Sequence, residues 1–313
     1  MMKFKPLVSR NIKTYPLRKR KSKVNVNDLA KPLAKGGSFG DFLKTLPGIL
    51  AARDLRAVIA AVIRAHKTKK TVSLGMGAHV IKAGLSPLIV DLMERGIVNA
   101  VSMNGAGIIH DFELSFAGRT SEDVDSGIGS GKFGMAEETG RLLNDAILRG
   151  AKKGFGIGRS VGGMIGRSGF PYKNLSITAA GVRCDVPVTV HVALGTDIIH
   201  LHPRMDGSST GRASQKDFEK FASVVSTLEG GVFINIGSAV IIPEVFLKAL
   251  TLARNLGYKV KNFTTVNMDF IQHYRPGVNV VRRPTLGGGK GYALTGHHEI
   301  MVPLLYAGII EGI

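Results

Sequence analysis

The strongest constraint on this chain is an alternation. Short, continuously apolar runs stop abruptly at glycine or small polar residues, and segments with the three-to-four-residue apolar spacing of a helix follow them. Residues 71–75 (TVSLG) run into Met76-Gly77, after which residues 79–95 carry Leu85, Leu88, Ile89, Leu92 and Met93 on one face. Residues 98–103 lead into Asn104-Gly105-Ala106-Gly107, and residues 186–192 into Leu194-Gly195-Thr196-Asp197. Residues 232–236 lead into Gly237-Ser238, and residues 263–267 into Met268-Asp269. Helical spacing also marks 41–66 and 132–150. Ser214 and Asp217 make a capping-box-like start for a helix through Leu228, Pro243 and Gly257 bracket another, and 299–310 reads as a buried closing helix. Strands that are apolar throughout are covered on both faces, and in an alternating β/α chain this means a parallel sheet. The expected fold class is α/β: a doubly wound parallel, Rossmann-like sheet forming one domain over residues 37–313, preceded by an arm over residues 1–36.

The arm holds eleven Lys and Arg against one acid, Asp28, with the densest run at Arg18, Lys19, Arg20, Lys21 and Lys23. It reads either as a solvated extension or as an electrostatic anchor for an anionic partner. Only Phe4 and Tyr15 are aromatic, so stacking on single-stranded bases is not indicated. The whole chain carries 42 Lys+Arg against 23 Asp+Glu, net +19; without the arm 31 remain against 22, net +9. The body is itself basic. The lone Cys184 excludes an internal disulfide and any multi-cysteine metal site. No apolar run approaches the ~20 residues of a membrane span, and the first residues lack the apolar core of a signal peptide. The expectation is therefore a cytoplasmic protein with no membrane partner.

In an open parallel sheet, ligands bind beyond the carboxyl ends of the strands. Glycine there lets backbone N–H groups approach a phosphate or ribose, and each following helix offers its positive end. One such turn is explained by turn geometry alone; five in one sheet point to a small-molecule ligand. Named phosphate motifs are missing. No GxxxxGK[ST] occurs, and Gly154-Phe155-Gly156-Ile157-Gly158 lacks the GxGxxG spacing and reads as a flexible loop. Gly207-Ser208-Ser209-Thr210-Gly211 matches GxSxG but has no strand before it, as a nucleophile elbow requires. His200 and His202 with Asp206 form the nearest approach to a zinc ligand set, but they straddle a proline-containing exit, and no metal is expected.

The stretch from Gly77 to Leu85, then Asn104-Gly105-Ala106-Gly107-Ile108-Ile109-His110-Asp111, resembles deoxyhypusine synthase. The likeness continues through Val186-Pro187-Val188, residues 194–198, the turn at 236–240 and residues 298–305, and covers most of 70–310 in order and spacing. The resemblance implies an NAD-binding doubly wound fold and a homotetramer. It offers Ala78, His79, Asn104, Gly105, Ala106, Asp111, Asp197, Gly237, Ser238 and Asn267 as residues of an NAD pocket.

The departures bear on chemistry. Ile241 falls where the family carries the lysine that takes up an aminobutyl group, and the family's paired acids become Ile109-His110-Asp111. Residues 270–298 contain no Asp or Glu and no tryptophan exists in the chain, whereas a desolvated polyamine needs carboxylates. Lys290, His298 and Asp111 remain as catalytic candidates. Arg282 and Arg283 lead into Gly287-Gly288-Gly289-Lys290-Gly291, where backbone N–H groups beside the lysine suit an anion, so Arg282, Arg283 and Lys290 are expected to recognise an anionic, non-polyamine substrate. Three functions stay open: an NAD-dependent transferase or oxidoreductase with an altered substrate, a non-catalytic nucleotide or anion binder, and a nucleic-acid-associated protein using the arm.

Overall fold

The computed structural model describes residues 4–313. Six strands, β1 (Val72–Met76), β2 (Ala100–Asn104), β3 (Val188–His191), β4 (Val232–Ile236), β5 (Thr264–Asp269) and β6 (Lys290–Thr295), form one sheet in the order β3-β2-β1-β4-β5-β6. Every neighbouring pair is parallel. This is the strand order of the doubly wound dinucleotide folds. The helices are α1 (Phe39–Thr45), α2 (Leu50–Lys67), α3 (His79–Lys82), α4 (Ser86–Glu94), α5 (Gly105–Ala117), α6 (Val124–Ile128), α7 (Glu137–Lys152), α8 (Ile157–Arg167), α9 (Ile177–Arg183), α10 (Gly207–Ser226), α11 (Ile241–Asn255), α12 (Tyr274–Pro276) and α13 (His298–Gly312). The short α12 continues as further helical turns to Thr285.

The sheet separates two apolar layers, and β4 shows how. Ile234 and Ile236 face Val62 of α2 and Val302, Leu305 and Ile309 of α13. Phe233, pointing the opposite way along the same strand, stacks on Phe246 of α11 at 3.9 Å and meets Phe221 of α10. Period-two alternation of an apolar strand thus fills both layers.

Five strands lie within two or three residues of their expected positions. The sixth, β6, begins in the glycine run at 287–291 and has no sequence signature, because it is an edge strand whose residues are mostly exposed and give no apolar run. The helix expected over 79–95 is broken at Gly84, whose φ of +79° ends α3 before Pro87 enters the first turn of α4. The helix expected from 214 begins earlier, at Gly207, with Asp206 accepting from the Ser209 amide. Gly154–Gly158 is not a flexible loop. Gly156 caps α8, and a Cβ on Gly158 would come within 1.8 Å of the Val188 carbonyl oxygen, so glycine lets the helix start lie against β3. Residues 4–36 are exposed except for half-buried Asp28, where the Gly48 amide donates to the Asp28 carbonyl at 2.8 Å.

Candidate functional site

The order of the sheet reverses between β1 and β4, and the loops leaving these strands touch. The Gly77 amide donates to Ile236 O at 2.9 Å, and a Cβ on Gly77 would lie 2.3 Å from Gly237 O. Gly237 has φ +65°, and a Cβ there would sit 2.6 Å from the His298 ring. Two glycines therefore floor the crevice with main chain. The loops at 75–79, 104–107, 195–197 and 235–238 all leave the same, carboxyl edge of the sheet.

This edge also collects unpaired polar groups. Among the described residues nine buried side-chain polar atoms lack a hydrogen-bond partner, and five are here: Asn104 Oδ1, Asp197 Oδ2, His200 Nε2 and both ring nitrogens of His298. Buried polar atoms are normally paired, so such a cluster calls for an explanation. Asp197 lies over the start of α5, where a Cβ on Gly105 would come within 1.9 Å of Asp197 Oδ2. Burial pushes the Asp197 carboxyl up to about 6, with the Ala106 amide opposing. His200 Nδ1 accepts from the Gly195 amide at 3.1 Å and the Asp197 amide at 3.2 Å. The neutral ring must then carry its proton on Nε2, which faces Asp197 Oδ2 across 3.9 Å. A donor and an acceptor, both buried and both unused, stand side by side 3.9 Å apart.

On the other side of the crevice His298, only 1% exposed, opens α13. Its Nε2 is 3.7 Å from Asp269 Oδ1 at the end of β5. His79 lies 5.4 Å away ring to ring, and Phe270 meets it edge-on at 6.2 Å. Burial lowers the His298 pKa, Asp269 opposes this and His79 reinforces it, so the ring is neutral near pH 7. The Asp269 carboxylate and the Met268 carbonyl both draw a proton to the ring against this burial.

The other predicted site residues have local duties. Asn267 accepts from Asn235 Nδ2 at 2.7 Å and donates to Gln272 Oε1 at 2.8 Å, tying the ends of β4 and β5. Ser238 Oγ accepts from the Ile242 amide at the start of α11. Asp111 is set apart from the crevice: it is 1% exposed and accepts from the Ile177 and Thr178 amides and from the Ser176 and Thr178 hydroxyls, capping α9. Both oxygens are spent, which argues against a catalytic duty. Lys290 opens β6 and pairs in register with Thr264, the first residue of β5, so it lies at the amino edge, as do Arg282 and Arg283 at the end of the α12 turns. An anion held by these three would sit a strand's length from the crevice. The glycines beside them are needed for packing instead: a Cβ on Gly289 would lie 2.5 Å from Phe263 O, and one on Gly291 2.1 Å from Val281 O.

His202 turns to Glu137 at 3.3 Å, and among the described residues no three His, Cys, Asp or Glu side chains gather into a metal-binding group. A cavity of about 570 Å³ lies beside β3 between α8, α9 and α10, but its buried carboxylate, Asp217, is already taken by the Gly158 and Val190 amides. The unpaired groups mark the carboxyl edge, not this cavity. Two members of the crevice, Asp269 and His200, are not among the residues the sequence offers for the nucleotide pocket; His200 stands out there only as a zinc-ligand candidate with His202 and Asp206. Asp269 was legible only as the polar end of a strand, and His200 acquires meaning from two amides of its own turn.

No family model matches the chain, and no curated protein matches it. Solved structures do. A putative deoxyhypusine synthase from Entamoeba histolytica is 13% identical with a TM-score of 0.53, over 90% of this chain and 96% of its own. ArgZ, an arginine dihydrolase from the ornithine-ammonia cycle in cyanobacteria, is 12% identical with a TM-score of 0.53, over 84% of this chain. AgrE in ternary complex with ornithine and NAD+ is 17% identical with a TM-score of 0.51, over 83% of this chain. The chain spans about one third of the length of the last two, 33% of each. At these identities the likeness is one of fold: the protein has the doubly wound α/β architecture seen in a putative deoxyhypusine synthase.

Proposed function

We propose that the chain binds a nicotinamide dinucleotide across the β1/β4 crevice and acts on a small substrate beside His298. The observation that carries this reading is the gathering of unpaired buried polar atoms around a crevice floored by Gly77 and Gly237. A dinucleotide suits these residues. Its phosphates need close main chain, which Gly77 and Gly237 supply, and its ribose hydroxyls suit the Asp197 carboxyl over the start of α5. A sugar hydroxyl approaching the Asp197–His200 pair from one side would donate to the carboxylate and accept from Nε2–H. Ala78, His79, Asn104, Gly237 and Ser238 border the same crevice. Bound there, the dinucleotide would exchange a hydride with a substrate carbon. His298 takes the accompanying proton, and Asp269 steadies the resulting imidazolium.

Aminobutyl transfer through a lysine is not supported. Ile241 opens α11 at the position of the family's lysine, and Lys248, two turns along, is paired with Glu244. The runner-up is a binder without turnover, favoured by the burial of His298.

Calorimetric titration of the full chain with NAD+ tests the reading. Binding that weakens in Asp197→Ala, and NADH formation lost in His298→Gln, are the expected results. Absence of NAD+ and NADP+ binding to the wild type would refute the dinucleotide site; binding with no turnover of any substrate would favour the binder. We also propose that the arm contacts an anionic partner, since among the described residues none of Lys5, Arg10, Lys13, Arg18, Lys19, Arg20, Lys21 and Lys23 forms an ion pair. Steep salt dependence of nucleic-acid binding, lost on deleting residues 1–36, is the check.

A further inference from the structure

Around His298 the carboxyl edge turns from polar to apolar. Phe270 and Ile271 follow β5, Tyr274 opens α12, Val240 precedes α11 and Ile300 lies in the first turn of α13. These side chains are 50, 52, 76, 45 and 57% exposed. Two links draw them together. Phe270 stacks parallel to His297 at 6.5 Å and edge-on to His298, joining the end of β5 to α13. Arg275 and Asn279 both reach Glu244 on the first turn of α11, at 3.3 and 2.9 Å, which seats the α12 segment beside Val240.

Contiguous exposed apolar groups on a protein surface mark a binding site, and binding pockets combine such walls with a few polar groups. Most of the charges nearby are engaged. Asp269 accepts from the Phe270 amide and faces His298, Glu244 is held by Arg275, Lys248 and Asn279, and Glu299 lies 3.9 Å from His297. Of these carboxylates only Glu299, 54% exposed, is left largely open, and a single carboxylate is too little for a polycation; Arg275 is paired with Glu244.

We infer that the substrate served by His298 carries an aromatic or branched aliphatic group beside its reacting carbon, received by Phe270, Ile271 and Tyr274. This rests on the dinucleotide reading above. For a secondary alcohol, the bound dinucleotide would take the carbon's hydride with its electron pair while His298 takes the hydroxyl proton, giving a ketone and the reduced dinucleotide. A second copy of the chain is the less suited occupant. Each copy carries net +19, which opposes self-association through this face.

The test measures NADH formation by the full chain with a benzylic secondary alcohol, a branched aliphatic secondary alcohol, lactate and spermidine, after calorimetry has established NAD+ binding. The apolar alcohols should be preferred, and Phe270→Ser and Ile271→Ser should each lower kcat/KM for them by roughly 10- to 100-fold with NAD+ affinity unchanged. Preference for lactate or spermidine, or unchanged kcat/KM in both variants, overturns the inference. So does a wild-type dimer in light scattering that Ile271→Asp converts to monomer. If NAD+ does not bind, or no alcohol turns over, the benzylic alcohol is titrated by NMR. Shifts at Phe270 and Tyr274 that vanish in Phe270→Ser sustain the apolar pocket, and no shifts overturn it.

Discussion

The two edges of one sheet use the same residues for opposite ends. At the amino edge, Gly289 and Gly291 are small because the Phe263 and Val281 carbonyls press on them, and Lys290 beside them projects into solvent. At the carboxyl edge, Gly77 and Gly237 are small because two loops and the His298 ring meet there, and the surrounding polar atoms are left without partners. Buried carboxylates divide in the same way. Asp111 is fully engaged at the start of α9, whereas Asp197 keeps an empty oxygen over the start of α5. A glycine run or a buried acid therefore identifies a site only once its partners are counted.

The largest test of this contrast is Asp111→Ala. It strands two amides and two hydroxyls in the core, and denaturant unfolding should show a loss of about 3–5 kcal/mol. A loss confined to turnover, with stability intact, would instead make Asp111 a working group. His298→Gln should leave the melting temperature nearly unchanged and reduce turnover by roughly 10²–10⁴-fold, the range of a lost proton acceptor.

Asp197→Asn should have the opposite sign in stability. The carboxyl titrates at about 6 in the folded protein against an ordinary 3.8. As pH rises between these values the unfolded chain releases its proton first, so this group's contribution to stability falls across that interval and stays low above it. The variant should thus match the wild type near pH 4 and exceed it by about 1–2 kcal/mol at pH 8, while binding NAD+ more weakly. Melting curves at the two pH values, paired with calorimetry, decide this; equal curves at both would place Asp197 in water. Smallest of all, Lys290→Ala should change stability by less than about 0.5 kcal/mol and NAD+ affinity not at all. A loss of anion-dependent stabilisation in that variant would reopen the amino edge as a site.

The sequence by itself determined the architecture. Apolar runs such as 232–236, buried on both sides, can only be central strands of a parallel sheet, and the helical spacing between them supplies its covers. It also placed the glycine-bearing strand ends, because a turn that admits a ligand and a turn that merely reverses the chain are built from the same residues. Edge strand β6 escaped it, since a half-exposed strand carries no apolar run. Only the tertiary structure decided which polar groups are idle. Asn104, Asp197, His200 and His298 stand 194 residues apart at the extremes of the sequence, and Lys290, only eight residues before His298, lies at the other edge because β6 runs between them. Hydrogen-bond partnership depends on three-dimensional neighbours, and those are fixed by strand order and register, which no local pattern of residues records.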